Sequence, residues 1–519
     1  MSTSRFDPTQ PRGTDGRWAP VGDGESLLDL AEVSRHQIVR DLVDIPAPVS
    51  RALNALRAAG MRPVLVGGSV RDALLDPGLE PKDLDFEVYG AQSPTQVARL
   101  LRPHGRIDQV GVSFGVIKLT TRGADGRVHD VDLTLPRTDS KVGDGHRGFQ
   151  VTTDPDLSFE EASARRDFTI NAIMWDPATG ELIDPHGGAE DLESGTLRHV
   201  SDAFDDDPLR VLRGLQFAAR FDMDMAPETV DRCRRLADAY PQLATERVWG
   251  ELHKVFTRGV RPSRALDILE QTGWVEHFPE LAATRDTPQD PVWHPEGDVY
   301  THLGLSADEA AARADEEGLA PDRRAVVVAA AMVHDLGKVT HTQHQDDGRI
   351  TSHGHAEAGV EPTRRLLERL GAPKAFTRSV KALVREHMNH QGVGANGRPS
   401  IGAVRRLQRR LDTDGTNLAE WSAVVAADAA GRGPGAKDDP SRVWLGVAAE
   451  HRVAPRPAPR LLTGRHLIDS GMKPGPEFTV ILADAERAQD NGEFDDEAGA
   501  RAWLAARHTT PMQMGGHRR

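Results

Sequence analysis

The sequence predicts an α+β protein of several domains, in which a small mixed sheet precedes a mainly helical remainder. The chain has 519 residues, which is more than one hydrophobic core usually supports. Four apolar runs between residues 62 and 184 show period-two alternation and short turns, which indicate strands. After about residue 200 this alternation stops, and helical spacing of apolar residues prevails.

Changes in composition divide the chain into five segments. Residues 1–25 are rich in Gly, Pro, Asp and Arg, which indicates disorder, and Pro46 and Pro48 interrupt the helical spacing of the stretch that follows them. A linker rich in Pro and Arg, HRVAPRPAPR, begins the last segment. The predicted segments are an N-terminal extension at 1–50, a sheet-containing head at 51–195, a helical neck and body at 196–290, a second helical domain at 291–450 and a helical tail at 451–519.

The composition excludes several classes of protein. A net charge of −15 argues against indiscriminate coating of nucleic acid, although local basic surfaces can still bind RNA. The single Cys233 permits no internal disulfide, which fits a reducing compartment. The longest apolar run, Ala325 to Val333, is about half of the ~20 residues that a membrane span needs. Because the N-terminus also has no signal-peptide pattern, we expect a cytoplasmic protein without membrane contact.

The stretch DLDF predicts a metal site. Side chains two apart on a strand point to the same face, so Asp83 and Asp85 can converge on one cation. Carboxylate oxygens suit Mg²⁺, which keeps waters and adds substrate phosphates to its shell. A third carboxylate can come from HDVDLTLPR, where Asp130 and Asp132 share a face of a neighbouring strand. Such a set would align a hydroxyl for attack on an α-phosphate. The alternative interpretation is a solvated acidic face.

The stretch GGSVRD, which precedes DLDF, predicts a phosphate-binding turn. Gly67 and Gly68 leave a strand and allow the backbone to approach a ligand closely. Ser69 is placed to cap a helix whose free N–H groups attract phosphate, and Arg71 adds a mobile positive charge. A glycine pair after a strand is often only a tight turn, but together with D-x-D on the next strand it describes a nucleoside-triphosphate site.

A basic cluster in ARRDFTINA offers further contacts to a nucleotide. Arg165 and Arg166 could hold a triphosphate, while Asp167 and Asn171 could hydrogen-bond a ribose. Judged alone, this stretch is equally well explained as a basic helix surface.

The stretch DDDPLRVLRG predicts recognition of a base. Asp206 or Asp207 can cap a helix with Pro208 at its first position, and Arg210 and Arg213 then share a face that Asp207 can reach. A carboxylate that accepts from an exocyclic amine, beside a guanidinium that donates to a ring nitrogen, fits cytosine and adenine but rejects uracil and guanine. The alternative is a capping acid with two solvated arginines.

Together these stretches resemble the class II tRNA nucleotidyltransferases, the CCA-adding enzymes, and the related bacterial poly(A) polymerases. The resemblance covers roughly residues 62–278, and it implies a polymerase-beta-like nucleotidyltransferase head followed by a helical neck and body. The matching stretches are GGSVRD, DLDF, RRDFTINA, DPHGGAEDL, DDPLRVLRGLQFAARF and ERVWGELHK.

The resemblance also implies roles for individual residues. Asp83 and Asp85 would bind Mg²⁺, and Asp132 is our third catalytic carboxylate. Two departures bear on triphosphate contacts or on the balance between C and A: Asp206 stands where the family often has glutamate, and Gln216 where a further arginine is common. The residues expected to hold the nucleotide are Gly67, Gly68, Arg71 and Arg166, with Asp207 and Arg210 reading its base and Arg213 assisting.

A second constellation lies in the segment 291–450. Histidine and aspartate on several helices can surround one or two divalent ions and leave a position for an activated water. Their order resembles the HD phosphohydrolase superfamily, and some CCA-adding enzymes carry such a domain and hydrolyse 2′,3′-cyclic phosphates or phosphomonoesters. The implied ligands of a divalent transition metal, whose identity stays open, are His302, His334, Asp335 and Asp428, with His355 (rather than His353) and His387 at a second site.

The predicted function is addition of C, C and A to tRNA from CTP and ATP, with an HD domain that hydrolyses phosphoesters and with no DNA partner. A poly(A) polymerase, or an enzyme that adds only CC or only A, is the alternative within the same chemistry. Two further alternatives are an RNA-binding or nucleotide-sensing protein whose catalytic centres have lost activity, and an HD enzyme with a vestigial head. Unless they pair with acids, basic side chains of the neck would bind tRNA. They are Arg220, Arg232, Arg234, Arg235, Arg247, Lys254 and Arg258.

Overall fold

The structure of the chain, a computed structural model, covers most of it apart from the ends and short internal stretches. The residues described are 39, 41–76, 83–110, 116–141, 149–433, 439–454 and 457–508. Most of the predicted N-terminal extension therefore lies outside the described residues. The described part forms two compact units, residues 39–255 with 259–277, and residues 256–258 with 278–508.

A mixed sheet forms the centre of the first unit. Its strands and two further short ladders are β1 (Arg62–Val66), β2 (Leu84–Tyr89), β3 (Arg106–Val110), β4 (Val116–Arg122), β5 (Val128–Thr134), β6 (Arg137–Lys141), β7 (Phe149–Thr153), β8 (Met174–Asp176), β9 (Glu181–Ile183), β10 (Thr196–Leu197) and β11 (Asp224–Met225). The sheet has seven strands in the order β3-β4-β5-β2-β1-β8-β9. β2 and β5 are parallel and the other neighbours antiparallel, which confirms the predicted mixed sheet.

Helices complete the first unit and replace the sheet along the neck. They are α1 (Ala47–Ala58), α2 (Gly68–Leu75), α3 (Pro94–Leu101), α4 (Phe159–Ser163), α5 (Gly188–Glu193), α6 (Leu209–Phe221), α7 (Pro227–Arg235), α8 (Thr245–Arg258) and α9 (Ser263–Thr272). α1 begins directly after Pro46, because a proline near a helix start loses no hydrogen bond. Val64, Val66, Met174 and Ile183, which lie on strands of the sheet, belong to one buried apolar cluster.

Helices make up nearly all of the second unit. They are α10 (Pro279–Ala282), α11 (Val299–Glu316), α12 (Pro321–Val333), α13 (Lys338–His341), α14 (His355–Ala358), α15 (Val360–Arg369), α16 (Lys374–Glu386), α17 (Ile401–Thr413), α18 (Leu418–Ala430), α19 (Arg442–Glu450), α20 (Gly464–Asp469), α21 (Glu477–Asp490) and α22 (Glu497–His508). A two-residue hairpin, β12 (Gln343–His344) and β13 (Ile350–Thr351), is an exception to the predicted all-helical remainder.

The longest apolar run of the sequence lies in the interior of this unit. α12 is buried continuously from Arg324 to Val333, where it packs against α11, α16 and α18. Within the described ranges, no helix is long and apolar enough to cross a membrane. The tail helices α20 to α22 share a smaller core that includes Leu467, Ile481 and Trp503.

Candidate active sites

The turn between β1 and α2 is built on Gly67. Its φ of 76° lies in the left-handed region, and a Cβ at this position would come within 3.5 Å of the Arg166 guanidinium. The prediction that Ser69 caps the helix is wrong, because the left-handed turn starts α2 already at Gly68. The Ser69 hydroxyl instead donates to the backbone carbonyl of Asp83. Ser69 therefore ties the glycine turn to the start of β2.

The register of β2 and β5 brings two predicted carboxylates side by side. Asp85 pairs with Asp132 across the parallel ladder, where strands lie ~4.8 Å apart. Partial burial raises the pKa of Asp85, and the charges of Asp132 and Asp83 raise it further. Such repulsion between carboxylates is relieved by a bound cation. Asp130 points its carboxylate elsewhere, since it accepts a hydrogen bond of 2.6 Å from the Thr120 hydroxyl.

This carboxylate set is looser than a preformed metal cage. The described residues that bring three ligand atoms within 4.8 Å of one another do not include Asp83, Asp85 and Asp132. Mg²⁺ keeps several waters and takes substrate phosphates as ligands, so two or three carboxylates at this spacing fit it without enclosing it.

The adjacent Arg165 and Arg166 have different surroundings. Arg165 Nη2 donates to the fully buried Glu87 of β2 at 2.6 Å, and the other Glu87 oxygen accepts from the Tyr89 hydroxyl at 2.9 Å. The charge of Arg166 instead acts on Asp85, whose pKa it lowers against the effect of burial and the neighbouring acids. Arg165 therefore holds the strand, and Arg166 stands at the glycine turn beside the carboxylates.

Arg71 is not the mobile charge that the sequence suggested. Its side chain is only about 5% exposed, because it donates to Asp72 at 2.8 Å and 2.6 Å and to the amide oxygen of Asn171. It also lies 4.6 Å from the ring centre of Phe221 on α6. A Cβ on Gly68 would meet Arg71 Nη2 at 3.4 Å, so this guanidinium is fixed directly against the turn.

Asp167 connects the RRD stretch to the neck. Its Oδ1 accepts from the Phe168 backbone N–H at 2.8 Å and from Asn171 at 2.9 Å, and its Oδ2 accepts from Arg213 Nε at 2.6 Å. Burial alone would raise the pKa of Asp167, but Arg213 and these bonds hold it below its usual value. Asp167 is therefore an ionised anchor for Arg213 on α6.

Asp207 and Arg210 stand at the start of α6. Asp207 Oδ1 accepts from the Leu209 N–H at 3.2 Å, and Oδ2 accepts from Arg247 at 2.7 Å. Arg210 donates to the backbone carbonyls of Ala203 at 2.6 Å and Arg165 at 2.7 Å. Both side chains are thus held in place, and the bond to Arg165 brings Arg210 next to the residue that precedes Arg166. The partner Arg247 was considered in the sequence only as a tRNA contact.

The two departures from the family pattern have distinct environments. Gln216, on the inner face of α6, is 3% exposed, and its side-chain nitrogen has no hydrogen-bond partner among the described residues. Asp206 ends a short 3₁₀ helix that begins at Asp202.

All six metal-site residues predicted in the second unit meet in one buried cluster. Asp335 is central, because its two oxygens lie 3.2 Å from His334 Nε2 and 3.1 Å from His355 Nε2. Asp428 Oδ1 lies 3.1 Å from His302 Nε2. The members are His302 on α11, His334 and Asp335 after α12, His355 on α14, His387 after α16 and Asp428 on α18.

This cluster has the properties that a buried metal site requires. His334 Nε2 and Asp335 Oδ1 are buried, and their close contacts in the described part of the chain lack hydrogen-bond geometry, which is costly unless a ligand satisfies them. Burial and the His334 charge lower the pKa of His387 to about 3, so its ring is neutral, the form that binds metal. Burial would raise the pKa of Asp335, but His334 and Lys338 hold it well below its usual range. Overlapping sets of three ligands fit one or two divalent ions.

Sequence reasoning missed three residues at this cluster. Glu296 Oε1 lies 2.7 Å from His302 Nδ1 and 2.9 Å from His294 Nδ1, and Lys338 Nζ lies 2.7 Å from Asp335 Oδ2. Spacing could have found Lys338, because it follows Asp335 by three residues in HDLGK. His294 and Glu296 lie in the HPE stretch, a loop before α11. Because a loop has no regular sequence period, the sequence does not predict that these side chains contact His302.

The basic side chains of the neck that were predicted to bind tRNA are largely paired with acidic side chains. Arg232 contacts Asp202 and Asp205, for example. The other members with an acidic partner are Arg220, Arg234, Arg247 and Lys254.

Comparison with known proteins identifies the family of this chain. Residues 64–198 match the poly A polymerase head domain, 222–284 the probable RNA and SrmB-binding site of polymerase A, and 299–414 the HD domain. The Multifunctional CCA protein of Xanthomonas campestris pv. campestris (strain B100) is 40% identical over 335 residues, which are 63% of this chain and 75% of the relative. The chain belongs to the multifunctional CCA protein family. The protein of that name from Halorhodospira halophila is 36% identical over 430 residues, 81% of this chain and 94% of the relative.

Solved CCA-adding enzymes share the fold of this family member. The Thermotoga maritima enzyme complexed with tRNA-CCA has a TM-score of 0.56 at 18% identity and covers 91% of this chain and 99% of its own. The Bacillus stearothermophilus enzyme in complex with CTP has a TM-score of 0.59 at 21% identity and covers 89% and 98%. The family consists of enzymes, the CCA-adding tRNA nucleotidyltransferases, and in this chain the head is joined to an HD domain.

Proposed function

We propose that the chain adds C, C and A to tRNA 3′ ends from CTP and ATP with release of pyrophosphate, and that its HD domain hydrolyses phosphoesters. One observation carries the first activity: Asp85 is in register with Asp132, and Asp83 is bonded through its carbonyl to the turn that begins at Gly67. Relatives named for CCA addition, among them solved complexes with tRNA, CTP and ATP, support the choice of substrates.

In the head, each group has a role that follows from its position. Mg²⁺ bound by Asp83 and Asp85 would supply charge neutralisation at the α-phosphate and the leaving pyrophosphate. The N–H groups that begin α2, together with Arg166, hold the triphosphate. Arg71 is fixed against the turn by Asp72 and adds positive charge there. Asp132 helps to align the 3′ hydroxyl of tRNA for in-line attack.

Asp207 and Arg210 read the base of the incoming nucleotide. Each keeps unused hydrogen-bonding capacity, since Asp207 has further lone pairs and Arg210 has further N–H groups. Asp207 accepts from the exocyclic amine of cytosine or adenine, and Arg210 donates to the ring nitrogen. Uracil and guanine would turn a carbonyl oxygen towards the carboxylate, which disfavours them. Arg213, anchored by Asp167, stabilises this arrangement.

Nucleotide addition to truncated tRNAs tests this function. We expect CTP alone to add two residues to tRNA that lacks CCA, and CTP with ATP to add three and then stop. Long A tails would identify the alternative, a poly(A) polymerase. Addition of only CC or only the terminal A would identify a partial enzyme. Either result would reject full CCA addition.

In the HD domain, the proposed substrates are 2′,3′-cyclic phosphates and phosphomonoesters. A divalent transition ion would supply an activated water and polarise the phosphoryl oxygen. The residues proposed to hold it are His302, His334, Asp335 and Asp428, with His355 and His387 at a second position. Hydrolysis of a 2′,3′-cyclic nucleotide after loading with Mn²⁺, Co²⁺, Ni²⁺ or Zn²⁺ tests this activity, and failure with every ion would reject it.

A further inference from the structure

The ring nitrogens that face away from the HD cluster have two kinds of neighbour. Three histidines have Nδ1 within hydrogen-bond distance of the backbone carbonyl three residues earlier. These pairs are His334 with Ala331 at 2.8 Å, His355 with Ser352 at 2.6 Å and His387 with Val384 at 2.6 Å. His302 Nδ1 is different, because it lies 2.7 Å from a carboxylate oxygen, Oε1 of Glu296.

The position of Glu296 is fixed by its own loop. Its side chain is 4% exposed, and its Oε1 also contacts His294 Nδ1 at 2.9 Å. Gln289 Nε2 donates to the carbonyls of Gly297 at 3.2 Å and Asp298 at 3.1 Å, which ties down the loop directly after Glu296. Glu296 is therefore a buried carboxylate, placed between the imidazoles of His294 and His302.

We propose that Glu296 is a positioning residue for the HD metal centre, which holds His302 by Nδ1 and presents its Nε2 as the most basic imidazole ligand. The inference rests on the proposed metal-dependent function of the HD domain. A carboxylate behind a histidine ligand fixes the tautomer and raises ligand basicity more than a neutral carbonyl does. An ion coordinated by His302 and Asp428 would thus be bound more tightly than an ion coordinated by His355 and His387.

A different role for Glu296 makes a different prediction. His294, Glu296 and His302 bring ligand atoms within 4.8 Å of one another, so Glu296 could itself be a metal ligand. Loss of a ligand removes one bound ion at moderate metal concentration, whereas loss of a positioning residue weakens one ion and keeps the number unchanged. Stoichiometry and affinity therefore separate the two roles.

Calorimetric titration of the metal-free full-length protein with Mn²⁺ tests the proposal. His302→Ala marks which binding event belongs to His302. For Glu296→Gln we expect the same number of bound ions and about 10- to 100-fold weaker binding in that event alone. Glu296→Asp keeps the charge, so its metal affinity should lie between those of the wild type and Glu296→Gln. It replaces Glu296→Gln if circular dichroism shows that Glu296→Gln is unfolded. Glu357→Gln, an exposed carboxylate next to α14's His355, is the matched control and should bind like wild type.

The outcomes are distinguishable. Unchanged affinity of Glu296→Gln in the His302 event overturns the positioning role, and loss of one bound ion overturns it in favour of a ligand. Equal weakening of both events overturns the claimed asymmetry. If the wild-type protein binds no Mn²⁺ at the HD residues, the proposed metal-dependent function fails first, and this inference fails with it.

Discussion

The head and the HD domain place their carboxylates in opposite settings. Asp83 and Asp85 lie exposed where β2 begins, at an open end of the sheet, and Arg166 sits at the adjacent glycine turn. Asp335 and Asp428 are buried among histidines, with Lys338 and Arg432 as the neighbouring cations. An open edge leaves room for a large substrate to bring its own phosphates to the metal. A buried cluster must bind its ion with protein ligands, because unpaired charge in the interior is costly.

The largest expected effect separates the two centres by mutation. Asp85→Ala should reduce nucleotide addition more than about 100-fold, because even outer-shell losses cost metal sites 10- to 100-fold, while hydrolysis of cyclic phosphate is retained. Asp335→Ala should do the reverse. Radiolabelled nucleotide incorporation and cyclic phosphate hydrolysis are measured on the same preparations. If Asp85→Ala adds nucleotides at the wild-type rate, the head site is misassigned.

Within the head, substitutions of the neighbouring Arg165 and Arg166 should have different effects on stability and on CTP binding. Arg165→Met leaves the buried charge of Glu87 unpaired, and we expect a loss of about 3–5 kcal/mol in free energy of unfolding. Arg166→Met should lower the free energy of unfolding less than Arg165→Met does, but it should weaken CTP binding. Calorimetric unfolding and nucleotide titration of both variants measure this difference. Equal stability losses would show that Arg166 is structural as well.

Metal removal should affect the thermal unfolding of the buried centre. An ion present at 100 times its dissociation constant adds about 2.7 kcal/mol to a folded domain that alone binds it. We therefore expect a chelator to lower the midpoint temperature of one calorimetric transition in the wild-type protein. In His334→Ala the same chelator should leave the midpoints almost unchanged. A chelator response that persists in His334→Ala would place the stabilising ion elsewhere.

The smallest expected effect concerns base choice in the head. Asp207→Asn offers an amide whose N–H can face a carbonyl, so uracil and guanine should be tolerated better. Loss of a good hydrogen-bonding pair costs about 1–3 kcal/mol of discrimination, so the preference for CTP over UTP should fall on the order of 10- to 100-fold. Single-nucleotide incorporation from each triphosphate measures it, and unaltered selectivity would assign base reading to other groups.

The sequence predicted local geometry well because the relevant periods are short. The two-residue period of a strand placed Asp83 and Asp85 on one side, and Asp132 proved to be the residue in register with Asp85. The order of His302, His334 and Asp428 predicted one cluster.

Contacts between distant segments could not be predicted in the same way. Glu87 and Arg165 are 78 positions apart, and no local pattern shows that one arginine of a pair serves a buried acid. The burial of Arg71 follows from packing against α6 and from Asn171. Glu296 reaches His302 through a loop fixed by Gln289.

Anomalous diffraction from crystals grown with Mn²⁺ and a non-hydrolysable CTP tests the central claim most directly. The account predicts a Mn²⁺ peak at coordination distance from carboxylate oxygens of both Asp83 and Asp85, with the triphosphate against the turn at Gly67. Nucleotide bound without metal at these carboxylates, or bound away from the glycine turn, would contradict it.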